Sequence, residues 1–171
     1  LGWNDYRARP YALPEHLHPT VWTGNVAVRM LETYNRPEPF FFKISFARPH
    51  SPYDPPERLW KSYQDAPIPS PSIGRWAQRY APPSGPVFDA WHGDFGTAQV
   101  RQSRQGYYGA VTLIDEQIGR ILETLHRRGL LERTLILFTS DHGEMLGDHR
   151  MGAKSSFFEP SAHVPFLVRP P

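Results

Sequence analysis

Ser140-Asp141-His142-Gly143-Glu144 sets a carboxylate and an imidazole side by side directly after an apolar run. A carboxylate is a hard oxygen ligand and an imidazole a borderline nitrogen ligand, so the pair suits one divalent cation. In a continuing strand the two side chains would diverge to opposite faces; at a strand-to-loop turn they can converge. Gly143 and Gly147 permit the tight backbone this requires. The same residues also fit a plainer role, in which Asp141 caps a helix starting near Gly143 and His142 is merely exposed. Two ligands do not complete a metal site, so other donors must come from elsewhere.

His50 lies in Arg48-Pro49-His50-Ser51-Pro52, where prolines on both sides fix its backbone and pre-organise its side chain. Taken alone, a loop histidine is more often a hydrogen-bonded surface residue than a catalytic one. Lys154 is one of three lysines against sixteen arginines, and it stands among Gly152, Ala153, Ser155 and Ser156. Small neighbours let an ammonium approach an anion as a point charge, although a solvated surface lysine is the usual case. Glu159 either orients neighbouring groups or faces solvent. His149 and His163 are read as structural, and Tyr107-Tyr108 as helix packing.

The elements that must position these groups are legible from hydrophobic periodicity. Thr20 to Tyr34 reads as a helix, stopped by Arg36-Pro37-Glu38-Pro39. Phe40 to Phe46 reads as a buried strand that ends at the loop carrying His50. Thr97 to Arg128 is the clearest helix. Val100, Tyr107, Val111, Ile114, Ile118, Ile121, Leu122 and Leu125 form its apolar stripe. Arg101, Arg104, Glu116, Arg120, Glu123 and Arg127 take its polar side, and Gly129 stops it. Thr134 to Thr139 and Val164 to Val168 read as two further buried strands. Fully apolar strands alternating with helices predict an α/β fold, with a mostly parallel sheet flanked by helices. In such sheets sites form beyond the carboxyl ends of strands, where both His50 and Asp141-His142 fall.

The 171 residues suit one domain with a sizeable core, and 39% apolar with 21% charged residues is a globular composition. Ten of the nineteen prolines lie between Arg48 and Pro86, and none between Val87 and Glu159. Proline lacks the N–H and clashes with the preceding turn, so residues 48–94 are expected to be a long irregular excursion. Trp60, Trp76 and Trp91 lie in it, to anchor the loop or to stack on a substrate. The formal charge is only +2 and no basic run reaches five residues, so neither nucleic acid nor a membrane is an expected partner. No apolar run is long enough to span a bilayer, and the first ten residues hold no signal-peptide core. With no cysteine, disulfides, thiolate zinc sites and a cysteine nucleophile are excluded within the chain.

Several of these pieces occur together in a recognisable order: Phe40 to Phe46 with Pro49-His50-Ser51-Pro52, then Arg104 to Val111 continuing through Ile114 to Gly119. Phe138 to His149 follows, then Lys154 to Glu159 with Val164-Pro165-Phe166. In order and spacing, over about residues 20 to 169, they resemble the sulfatases of the alkaline phosphatase superfamily.

That resemblance implies an alkaline phosphatase/sulfatase-like α/β fold and a metal-dependent hydrolase of sulfate esters acting on a small anionic ester. Asp141 and His142 resemble the later pair of metal ligands; the Asp-His form also occurs in related phosphonate monoester and phosphodiester hydrolases. His50 resembles the histidine near the ester oxygen, and Lys154 the lysine on the substrate's anionic oxygens. Calcium is the implied metal, with manganese or magnesium as alternatives. The family's formylglycine nucleophile, matured from a C/S-x-P-S/A-R motif, and its Asp-Asp metal pair have no counterpart here; Ser70-Pro71-Ser72 does not fit the motif. Residues 1–171 are therefore expected to be one partial catalytic domain, with no nucleophile of its own, inactive alone. A phosphonate monoester or phosphodiester hydrolase is the alternative, and a non-catalytic binding module the second. Compartment, cytoplasmic or periplasmic and secreted, is left open.

Overall fold

The computed structural model describes residues 6–79 and 92–171; residues 80–91 of the proline-rich excursion, Trp91 among them, lie outside these. Two helices form the main layer. α1 (Pro19–Thr33) begins at a proline, which is tolerated where the backbone N–H has no helical partner. α3 (Thr97–Arg127) ends where Gly129 enters the left-handed region and Leu130 N–H returns to the Leu125 carbonyl at 2.9 Å. Ala27 and Leu31 of α1 pack on Ile121 and Leu125 of α3 to make the buried core.

The buried face of α3 keeps Val100, Ile114, Ile121 and Leu125 of the expected stripe but is wider and partly rotated from it. Val111 is 43% exposed, whereas Arg104 and Gln117 are buried at 7% and 4%. Gly24 of α1 explains part of this, because a Cβ there would stand 2.5 Å from Gln117 Oε1. Arg120 donates to that oxygen at 2.6 Å, so the buried amide keeps a partner. Gly106 and Gly109 let another segment approach. A Cβ on Gly106 would meet the Tyr53 carbonyl at 2.7 Å, and one on Gly109 would meet Pro55 at 2.8 Å. The loop beyond His50 thus lies directly on α3.

The proline-rich excursion is not wholly irregular. α2 (Glu57–Ser62) forms directly after Pro55-Pro56, and a 3-10 turn covers Arg75–Arg79. Proline obstructs a helix interior but not the position before its start.

The expected mostly parallel sheet is not found among the described residues. Their one ladder joins β1 (Ile136–Thr139) and β2 (Phe166–Arg169), and it is antiparallel, with Ile136 opposite Arg169 and Thr139 opposite Phe166. The segment between them carries a 3-10 turn (Asp148–Arg150) and the one-turn α4 (Glu159–Ala162), and brings the chain back in the opposite direction. Nor are these strands buried: Leu137 is 54% and Leu167 62% exposed. Residues 40–46 make no ladder, so this segment joins no sheet with β1. They keep a strand's alternation nonetheless. Phe40, Phe42, Ile44 and Phe46 pack on the helical core, while Phe41 is 93% exposed.

Candidate active site

Three loops converge. The first runs from Arg48 to Asp54, and its two ends are clamped together. Arg48 donates to both oxygens of Asp54, at 2.7 and 3.1 Å, with both residues 8% exposed. Between these ends the His50 Nδ1–H donates to the Ser51 carbonyl at 2.9 Å, which leaves Nε2 with its lone pair.

The second loop follows β1. Gly143 N–H donates to the Ser161 carbonyl at 2.8 Å and Glu144 N–H to the Pro160 carbonyl at 2.7 Å, fastening it to α4. Any Cβ on Gly143 would run into the Pro160 carbonyl, so the glycine serves close approach. Gly147 is the conformational glycine, at φ 90°. The His142 Nδ1–H donates to the Gly143 carbonyl at 2.7 Å. Its Nε2 stands 3.9 Å from Asp141 Oδ2. Asp141 does not cap a helix: a bend and turns follow it.

The third loop brings Lys154, whose Nζ–H donates to His50 Nε2 at 2.6 Å. The rings of His50 and His142 lie edge to face with centroids 6.0 Å apart. All four residues singled out in the sequence therefore stand in one chain of neighbours: Lys154, His50, His142, Asp141.

The electrostatics follow from this arrangement. Burial lowers the basicity of His50; the Ser51 carbonyl works against it, and the charges of Lys154, His142 and Arg48 add to it. The net effect holds His50 below the usual histidine range, and therefore neutral at pH 7. At Asp141 a little burial acts upward, but hydrogen bonds from its own and His142's backbone N–H and the charge of His142 outweigh it, so its carboxyl stays below the usual range.

Glu144 lacked an assigned role in the sequence reading. Its side chain is buried, its Oε1 has no hydrogen-bond partner, and the fully buried Tyr53 hydroxyl donates to the carboxyl. Burial pushes its pKa up to about 7 against the pull of Lys154, His142 and Tyr53. Sequence reasoning also missed the Arg48–Asp54 clamp and its support. His149 is structural, as expected. Its Nδ1 accepts Gly74 N–H at 3.1 Å, and its ring joins Trp76 and Phe158. Trp76 stacks on Phe158 with centroids 5.6 Å apart, which anchors the excursion to the loop after Lys154. Glu159 and His163 form an exposed i,i+4 pair at 2.9 Å, away from the four. Tyr107 and Tyr108 pack edge-on and tilted against Tyr53 and Tyr63, as helix packing predicts.

A cation fits the Asp141–His142 pair on donor chemistry, because a carboxylate oxygen and an imidazole nitrogen face one another across 3.9 Å. Among the described residues no cluster of three or more such donors forms, so these two supply part of a coordination shell.

A profile of the Sulfatase family matches residues 4–171. An arylsulfatase of Clostridium perfringens is 40% identical over 172 residues, which is 100% of this chain and 36% of that protein. A choline-sulfatase of Rhizobium meliloti is 36% identical, over 78% of this chain and 27% of that protein. The chain thus spans about a third of the length of these relatives. The crystal structure of a phosphonate monoester hydrolase of Agrobacterium radiobacter superposes with a TM-score of 0.77 at 30% identity, covering 99% of this chain and 36% of that one. The chain shares its fold with part of that alkaline phosphatase-like domain.

Proposed function

The chain belongs to the sulfatase family, and from that membership we propose that it supplies the anion seat and half of a metal site of a sulfuric ester hydrolase. The observation that carries the reading is the 2.6 Å contact of Lys154 with His50, beside the 3.9 Å pairing of His142 with Asp141. The four groups are the right ones for a small anionic ester. Lys154 is the point charge that receives the ester's anionic oxygens. Asp141 and His142 would hold the divalent cation, which supplies charge neutralisation on the transferring group when bound. Calcium suits the carboxylate; manganese or magnesium are the alternatives.

His50 is neutral without substrate, because the Lys154 cation and burial both oppose its protonation. A bound anion offsets that cation, so the imidazole gains a proton more easily once substrate is seated. Its Nε2 can then donate to the departing ester oxygen. The reading leaves the nucleophile and the remaining metal ligands to residues other than these four.

A second reading, hydrolysis of phosphonate monoesters, is favoured by His142 and by the fold shared with the phosphonate monoester hydrolase. Sulfate and phosphonate esters share tetrahedral, anionic geometry, so both suit Lys154. The test is a side-by-side assay of an aryl sulfate and an aryl phosphonate monoester, with added divalent metal, on the chain and on any longer protein that contains it. Faster sulfate turnover by the longer protein supports the first reading, and faster phosphonate turnover the second. No turnover of either by the longer protein contradicts both, and points to a binding module.

A further inference from the structure

His18 lies under the loop that carries His50 and is fully buried, at 0% exposure. Both of its ring nitrogens are committed. Nδ1 accepts the Thr20 N–H at 3.1 Å, capping α1, and Nε2–H donates to the Asp54 carbonyl at 3.2 Å. Only the neutral ring with its proton on Nε2 can do both. Asp54 is also the carboxylate that Arg48 clamps. His18 therefore joins the start of α1 to one end of the His50 loop.

We propose that His18 is a positioning residue for His50, acting through Asp54, and that it holds the loop only while its ring is neutral. The inference rests on the reading of His50 as a substrate-facing group. The surroundings set the balance. Asp54 and Glu15 attract a proton to His18, while Arg48 repels it; Tyr11 packs edge-on at 4.7 Å and adds no charge. Burial is the largest influence, and the net effect keeps the ring below the usual histidine range. Protonation would remove the Nδ1 acceptor, release the α1 cap and place a second cation beside Arg48. Acid should therefore loosen the His50 loop before it reaches the core.

Two substitutions separate the two bonds. Asn at position 18 has the acceptor that caps α1 but is too short to reach Asp54. Gln extends far enough to donate to the Asp54 carbonyl and cannot be protonated. The readout is the long-range ¹H–¹⁵N spectrum of the full chain at pH 8, with the thermal midpoint measured alongside. The expected wild-type pattern is the Nε2–H form of His18 and the Nδ1–H form of His50. His18→Gln should leave the His50 ring signals in place. His18→Asn should shift them while the chain stays folded, with a midpoint lowered by the loss of the buried bond to Asp54. Equal shifts in both variants, or none in His18→Asn, would overturn the proposal.

Should either variant fail to fold, the wild-type acid titration decides. The Ser51, Tyr53 and Asp54 amide signals should move with the midpoint of His18, below pH 6.5. Amide signals that stay flat while His18 protonates would refute the coupling. None of these readouts depends on turnover, so a failure here is distinct from a failure of the proposed hydrolysis.

Discussion

Lys154 donates to His50 Nε2 across 2.6 Å, joining residues 104 positions apart in the chain. The contact sets a cation against the one imidazole nitrogen able to accept. Together with burial, the larger cause, it disfavours protonation of the histidine, and it marks the place where an anion relieves both groups. Lys154→Ala should therefore raise the pKa of His50, as followed by its ring signals against pH. In an active longer protein the same change should lower kcat/KM by about 10²–10³-fold, the range for losing one donor to a developing charge.

Asp141→Ala and His142→Ala should each weaken divalent-metal binding without unfolding the chain, since Asp141 is exposed and the His142 ring donates to its neighbour's carbonyl rather than to a distant element. Calorimetric titration with calcium or manganese checks this. With two protein ligands against the six to eight oxygens calcium prefers, wild-type binding to the chain alone should already be weak.

Arg104 illustrates what the sequence did not reveal. It reads as a polar-face arginine, yet it is buried and donates to the Leu146 carbonyl, the Pro69 carbonyl and the Asp148 carboxylate at 3.0, 2.9 and 2.7 Å. Asp148 also accepts the Ser72 N–H at 2.7 Å. Arg104→Met leaves a partly buried carboxylate and two carbonyls without their guanidinium and should cost about 2 kcal/mol by denaturant unfolding. It should also free the excursion near Ser72, seen as faster amide exchange there.

The two long helices and the loop positions were legible because each rests on a local signal, a 3.6 period or paired prolines, whereas the four chemical residues stood out together only through the family resemblance. Sheet pairing and the burial of α3 were not legible. The apolar run at 134–139 reads as a strand buried on both faces, but burial depends on what packs against it, and Leu137 is 54% exposed. Which face of α3 is buried depends on Gly24, Gly106 and Gly109, whose value is space for a distant segment. His18 and Asp54 act through contacts that periodicity does not encode.

Gly143→Ala should destabilise the chain by about 1–3 kcal/mol, because the new methyl meets the backbone carbonyl of Pro160 rather than a movable side chain. Loss of metal binding should accompany it as the loop shifts. A variant as stable as wild type in a thermal melt would show that the loop yields without cost.

Glu144→Gln tests the buried carboxyl. A carboxyl raised in the fold to about 7 favours the folded state when protonated, so stability falls as pH rises from about 4.5 to 7. The amide removes that part of the slope. In chelator, wild type should lose a few kcal/mol over this window relative to the variant.

The central claim is that Lys154 and His50 together seat an anionic ester. Titration of the chain with inorganic sulfate and with an aryl sulfate, followed by the His50 ring nitrogens, tests it most directly. Both ligands should shift His50 Nε2 toward its protonated position at pH 7, and Lys154→Ala should abolish the shift. A His50 signal that ignores both ligands, or one that responds equally without Lys154, would contradict the account.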